Sequence, residues 1–277
     1  MVRRSLLFSP GDDPEKLRKG VSFDADVVVF DLEDAVVPAA KPAARETVRD
    51  ALTDIVPADA EVCVRVNPVG RGAADDVAAA LAGTAPDSVM LPKTGGVGDV
   101  AGLETLLSEA GVDRPILPLV ESAAGVLHAE AIAAHDRTDA LVFGAEDLAG
   151  NIGATRTSDG GELAFARQHV VLAARAAGVS PIDTHYPDYT DDEGLRTEAG
   201  RAVALGYDGK LAVHPGQVAV LNDAFTPDPE RVAWAHRLLD ARDDADGGVF
   251  VLDGEMIDAP QIRQAQRVLE RAGVGRR

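Results

Sequence analysis

Three carboxylates in four positions, Asp31, Glu33 and Asp34, interrupt the apolar stretch VVFDLEDAVV at residues 28–37. An acid set in a hydrophobic run is costly unless it is hydrated, paired or bound to a cation. The pattern recurs along the chain. Arg65 and Asn67 close VCVRVN, Lys93 closes SVMLPK, Glu121 and Ser122 close PILPLVES, Glu146 and Asp147 end ALVFGAED, and His214 follows GKLAV. Glu121 and Asp147 end runs that are almost wholly apolar, unlike acids on a solvated helix face. Two such carboxylates, with positions left for water and substrate, suit Mg²⁺. No Cys or His adjoins either one, which disfavours zinc.

Arg65 carries a planar fork that matches a carboxylate or a polarised carbonyl; the alternative is a structural partner in DLEDAV. Asp31, Glu33 and Asp34 read equally well as groups that hold metal-bound water, as groups that orient Lys41 and Arg65, or as structural ion pairs. Lys93 has the type of a Schiff-base amine, but nearby carboxylates keep a lysine charged, so an ion-pair role is expected. His214 suits a base or a helix-start turn. The single cysteine, Cys63, excludes an internal disulfide and Cys-cluster zinc sites. It is expected to be a small buried hydrophobe.

Eight short β-branched or apolar runs position these residues: 5–9, 27–31, 62–66, 88–92, 115–121, 140–146, 180–184 and 209–213. Helix-periodic segments lie between them. Continuous apolar strands alternating with helices indicate a parallel sheet. Eight repeats fit a closed α/β (β/α)₈ TIM barrel better than an open sheet. No G-x-G-x-x-G opens a helix after the first strand, which disfavours dinucleotide binding. The barrel is expected over residues 1–222. Residues 223–277 then form a C-terminal extension of helices and a short hairpin, a lid and oligomer contact.

The 277 residues are 46% hydrophobic but only 4% aromatic, so Ala, Val and Leu must fill the interior. A net charge of −19 excludes broad attraction to nucleic acid or an anionic membrane. Acidic pairs such as Asp12–Asp13, Asp75–Asp76 and Asp243–Asp244 are spread along the chain and lysine is scarce, a surface suited to high salt. A melting temperature that fails to rise with KCl counts against that reading. No apolar run approaches the ~20 residues of a membrane helix, and MVRRSLLFSPGDD lacks a signal-peptide layout. A cytoplasmic protein is expected.

The stretches RSLLFSPGD (4–12), DLEDAV (31–36), VRVN (64–67), MLPK (90–93), PLVESAAG (118–125), FGAEDLA (143–149), GKLAVHPGQV (209–218), AFTPDPE (224–230) and GEMIDAP (254–260) together resemble the HpcH/HpaI aldolase and citrate lyase β-subunit family. The resemblance covers essentially the whole chain in order, and the tail motifs favour the branch acting on CoA thioesters. It implies a TIM barrel that uses Mg²⁺ and assembles as a homotrimer or hexamer. Glu121 and Asp147 match the metal ligands, Glu121 also facing substrate, and Arg65 matches the substrate-binding arginine. Asp258, in GEMIDAP, matches a catalytic aspartate that can come from a neighbouring subunit; the alternative is a turn or capping aspartate ahead of Pro260. The implied reaction is reversible carbon–carbon cleavage of a malyl-CoA- or citramalyl-CoA-type thioester to acetyl-CoA and glyoxylate or pyruvate. Alternatives are a malyl-CoA thioesterase, the β subunit of a citrate lyase complex acting on a carrier-protein thioester, and, more distantly, an inactive scaffold barrel. One departure is Asp13, where many relatives have Arg near the expected CoA path; Arg18 and Lys19 lie close by.

Overall fold

A computed structural model describes residues 2–55, 60–243 and 248–274. The chain divides into two compact units, Arg3–Asn222 and the segment from Asp223 on. In the first, the elements follow in order: β1 (Ser5–Pro10), α1 (Pro14–Gly20), β2 (Val27–Asp31), α2 (Lys41–Asp54), β3 (Glu61–Arg65), α3 (Ala73–Asp76), β4 (Ser88–Leu91), α4 (Val97–Glu109), β5 (Ile116–Val120), α5 (Ala123–Leu127), α6 (Ala129–Ala133), β6 (Ala140–Phe143), α7 (Ala145–Ile152), α8 (Ala164–Ala177), β7 (Ser180–Asp183), α9 (Asp192–Leu205), β8 (Gly209–Ala212) and α10 (Gly216–Phe225). The division between the units falls inside α10.

The eight strands are parallel, neighbours in sequence are neighbours in space, and β1 pairs with β8 to close a TIM barrel. Side chains alternate across a strand, and every second residue points into the barrel. Val27 and Val29, Cys63, Met90, Leu117 and Leu119, Ala140 and Val142, Ile182 and Leu211 form one buried cluster. Their burial from water is the main source of the barrel's stability.

Two local expectations change. The run 140–146 is not all strand: β6 ends at Phe143, and Glu146 and Asp147 sit in the first turn of α7. Acids are favoured at a helix N-terminus, where backbone N–H groups are unpaired. The helix-periodic segment between the fifth and sixth runs is not one helix but two short ones, α5 and α6, parted at His128.

The second unit continues with α11 (Pro229–Asp243), β9 (Phe250–Leu252), β10 (Glu255–Ile257) and α12 (Ala259–Arg271). Asp244, of the Asp243–Asp244 pair, lies outside the described residues. Ala235, Leu238 and Leu239 recur at helical spacing and bury against Ala265, Leu269 and Ile257. The hairpin turns through Asp253 and Gly254, both at positive φ, the Asp-Gly signature of a tight two-residue turn. Among the described residues, no helix is long and apolar enough to cross a membrane.

Candidate active site

The inward stripe of each strand carries on past the apolar core to the C-terminal end of the barrel, where it becomes polar. Asp31 follows Val27 and Val29, Arg65 follows Cys63, and Glu121 follows Leu117 and Leu119, each in phase by two. Phe8, Gly144, Thr184 and Val213 continue their strands in the same way. All seven line one cavity of about 580 Å³.

Within it, Arg65 Nε and Nη2 donate to Asp31 Oδ1 and Oδ2 at 2.7 and 2.6 Å. Nη1 lies 2.9 Å from Glu33 Oε2, off the line of a hydrogen bond, and that buried oxygen has no hydrogen-bond partner. The guanidinium also stands over the Phe8 ring, 4.8 Å from its centroid. Asp31 thus holds the Arg65 fork rigidly at the cavity wall. Asp31 also accepts from Glu33 N and Ala35 N, which folds DLEDAV into a tight loop. Lys41 secures that loop from behind, donating to the carbonyls of Leu32 and Glu33 and to Asn67 Oδ1.

Lys93 is out of phase with Met90 and by strand geometry should point away. It adopts a left-handed backbone, φ 53°, uncommon for a residue with a Cβ, and its ammonium turns into the site. Nζ lies 2.6 Å from Asp147 Oδ2, 3.5 Å from Glu121 Oε1, 3.7 Å from Glu33 Oε1 and 3.6 Å from Asp34 Oδ2. Its backbone N–H donates to Glu121 Oε1 at 2.7 Å. The ion-pair role expected of Lys93 is the one seen. Burial opposes its charge, but the bond to Asp147 and the fields of Glu121 and Glu33 outweigh it and raise its pKa. An amine held protonated is not a nucleophile, which argues against imine chemistry.

The carboxylates respond differently. Burial pushes Glu121 up to about 8, against the pull of Lys93, and Glu33 up to about 7, against Arg65 and Lys93. Asp147, half-exposed, is held below the usual range: burial acts upward, but the hydrogen bonds of Lys93 and Glu121 prevail. Five carboxylates (Asp31, Glu33, Asp34, Glu121 and Asp147) thus face two side-chain cations, Arg65 and Lys93. The surplus of hard oxygen donors, with one buried oxygen unpartnered, fits a divalent cation such as Mg²⁺. Among the described residues, no group of three or more His, Cys, Asp or Glu is arranged to hold a metal alone. Glu121 and Asp147 would supply part of a shell and leave the remainder to water and substrate.

Other sequence-marked residues have structural roles. Asp13 caps α1, accepting from Glu15 N and Lys16 N, and Lys19 pairs with Glu15 at 2.6 Å. His214, exposed, accepts from Gly216 N at the start of α10 and stacks on Tyr189, the turn role rather than that of a base. Cys63 is wholly buried in the barrel core, its thiol pushed up to about 12 by that burial. Asp258 belongs to the second unit as the N-cap residue of α12, the capping alternative in sequence terms. Its N–H donates to Gln261 Oε1 at 3.2 Å, while its Oδ1 is buried without a hydrogen-bond partner. Phe8, Gly144, Thr184 and His185 line the cavity and were not singled out in the sequence. The last two follow SPID, Thr184 in phase with the inward Ile182, but neither residue's type marks it as part of a cavity wall.

Fold and rim together define a (β/α)₈ barrel with an acidic, arginine-bearing centre of divalent-metal type at the C-terminal ends of its strands. Residues 4–215 match the HpcH/HpaI aldolase/citrate lyase family, and the chain belongs to that family. It is 36% identical to the mitochondrial citramalyl-CoA lyase of Rattus norvegicus, across 96% of this chain and 85% of that protein. It is 40% identical to a citrate lyase subunit beta-like protein of Mycobacterium tuberculosis, across 96% and 94%. Among solved structures it is similar to CitE of M. tuberculosis in complex with magnesium, acetoacetate and coenzyme A. The TM-score there is 0.82 at 39% identity, covering 98% of both chains.

Proposed function

We propose that this protein is a Mg²⁺-dependent carbon–carbon lyase that reversibly cleaves a malyl-CoA- or citramalyl-CoA-type thioester to acetyl-CoA and a 2-oxo acid. The observation that supports it is one cavity whose wall carries Glu121 and Asp147, both facing the Lys93 ammonium, together with Arg65 clamped by Asp31. Bound at Glu121 and Asp147, Mg²⁺ would act as a Lewis acid toward the substrate's oxygens.

The chain's own residues carry the rest. The 3-hydroxyl of the substrate gives up its proton to water in the cavity and becomes the carbonyl of the oxo acid as the adjacent C–C bond breaks. The bonding electrons pass to the thioester, and the resulting enolate is stabilised by the Arg65 guanidinium. Asp258 delivers a proton to the acetyl carbon, and takes one from it in the condensation direction. Residues 223–277 act as lid and oligomer contact in a homotrimer or hexamer, with Asp258 reaching the cavity of a neighbouring subunit. The cytoplasm is the compartment we assign.

The test is incubation with malyl-CoA and with citramalyl-CoA in Mg²⁺, with products identified by mass spectrometry. Acetyl-CoA with glyoxylate or pyruvate supports the lyase. Malate with free CoA makes the protein a thioesterase. A second reading, the β subunit of a citrate lyase complex working on a carrier-protein thioester, is favoured by the name of the M. tuberculosis relative. Full activity of the protein alone on a free CoA ester excludes it.

A further inference from the structure

β7 ends at Asp183, and Thr184 and His185 follow at the barrel rim. Thr184 is in phase with Ile182 of the inward stripe, and its Oγ1 accepts from Ala145 N at 3.1 Å, tying the end of β7 to the start of α7. His185 lines the 580 Å³ cavity that holds Arg65, Glu121 and Asp147. It also lines a second cavity of about 300 Å³. Ala145, Glu146 and Thr184 are common to both, so His185 stands in the wall between them. It is half-buried, and among the described residues neither ring nitrogen has a hydrogen-bond partner.

Neither ring nitrogen is fully buried, so the imidazole meets solvent in the cavity and can exchange it for a polar group of a ligand. Burial lowers the pKa of His185, with Glu146 opposing, so the ring is neutral at pH 7 and offers one N–H donor and one acceptor nitrogen. The cavity is rich in acceptors: Asp31, Asp34, Glu121, Glu146 and Asp147 present mostly acceptor oxygens, while Arg65 Nε and Nη2 and the Lys93 ammonium are already engaged by carboxylates. In a closed barrel of eight sequential strands, β7 lies four strands from β3. His185 and Arg65 therefore close opposite sides of the cavity.

We propose that His185 is a substrate-binding residue that donates a ring N–H to the carboxylate of the 2-oxo acid half, on the side opposite Arg65. The assignment rests on the lyase reading above. Held between two cavities, the imidazole also bounds the room beside that carboxylate, so it influences which 2-oxo acid is accepted.

The experiment measures binding of glyoxylate and pyruvate by calorimetry in Mg²⁺ without CoA, alongside kcat and KM on malyl-CoA. The proteins compared are the wild type, His185→Phe and His185→Gln. Replacement by Phe, which keeps the bulk and removes the donor, is expected to weaken oxo-acid binding about tenfold or more, the worth of a hydrogen bond to a charged group. Replacement by Gln, which restores a donor, should recover most of it. The Mg²⁺-dependent rise in Tm should stay at the wild-type value in both. If His185→Phe does not fold, His185→Leu carries the same expectation. Wild-type oxo-acid affinity in the variant lacking the donor overturns the role of His185 and leaves the lyase intact. A wild-type protein that neither binds an oxo acid nor cleaves either thioester overturns the lyase and this assignment with it.

Discussion

A Cβ placed on Gly144 would lie 2.6 Å from Cβ of Glu121 and 2.8 Å from its Oε2. The approach is fixed by pairing of β5 with β6, where Gly144 N donates to Val120 O at 3.0 Å. Backbone conformation is not the reason for glycine, since φ is −111°; space is. Gly144→Ala must displace the Glu121 carboxylate, and misplacing a site group by about 1 Å can cost on the order of a hundredfold in rate. The expected outcome is a folded barrel by circular dichroism with turnover down at least tenfold and a reduced Mg²⁺-dependent rise in Tm. An unchanged response to Mg²⁺ would mean that the strands relax around the new methyl without moving Glu121.

Glu121→Ala and Asp147→Ala test the metal pair directly. Lys93 meets both carboxylates, so either replacement leaves the ammonium a partner and the barrel should fold. Turnover in Mg²⁺ is expected to fall by roughly a hundredfold or more, in the range of other lost electrostatic stabilisers. The thermal shift with Mg²⁺ should shrink in step. Near-normal activity in either variant removes that residue from the ligand set.

For Arg65 the informative replacement is Lys. A point charge cannot reproduce the two-pronged contact to Asp31 together with the approach to Glu33. Arg65→Lys is expected to keep its fold and lose on the order of a hundredfold in kcat/KM. Full activity would leave Arg65 a purely structural partner of the DLEDAV loop.

The barrel was legible in the sequence because most strands are buried on both faces and read as near-continuous apolar runs, such as VVVFD. The site was legible where a charge followed such a run in phase, as Asp31, Arg65 and Glu121 do. It was less legible where the backbone breaks phase. Lys93 enters the site through a left-handed turn that period-two reasoning does not contain. Asp147 reaches it from a helix start that a strand-like ALVFGAE conceals. Neutral residues carry no such mark: nothing in the type of Thr184 or His185 separates a cavity wall from an ordinary strand end. The Asp31 clamp on Arg65 depends on the registered pairing of β2 with β3, Asp31 opposite Arg65, which appears only when the barrel is closed.

Cys63 offers a check on the core that is independent of catalysis. The thiolate is the reactive form of cysteine, and burial pushes this thiol up to about 12. A raised thiol pKa keeps the group protonated, so iodoacetamide labelling of the native protein should stay near zero from pH 7 to pH 10. Unfolding in guanidinium should release labelling at the ordinary rate. Fast native labelling at pH 8 would place Cys63 outside the closed barrel core.

Asp258 carries the last prediction. It sits at the start of α12 with its N–H bonded to Gln261 and one carboxylate oxygen buried and unpartnered. Capping α12 does not occupy that oxygen, and a buried oxygen without a partner gains one when it exchanges a proton with a ligand. Enolate chemistry needs such a group at the acetyl carbon. In the proposed reaction Glu121 and Asp147 would be taken up by the cation, and Arg65 cannot lose its proton. Asp258→Asn keeps shape and hydrogen-bonding reach but removes the exchange. The variant is expected to fold, assemble and respond to Mg²⁺ like the wild type while losing most carbon–carbon cleavage, about a hundredfold or more for a general acid–base group. Mixing it with Arg65→Ala should restore part of the activity, because some cavities in a mixed oligomer then combine an intact Arg65 with an intact Asp258 from the neighbour. No recovery in a verified mixed oligomer places both residues on one subunit. Wild-type turnover by Asp258→Asn returns the residue to a cap on α12 and moves the proton exchange elsewhere.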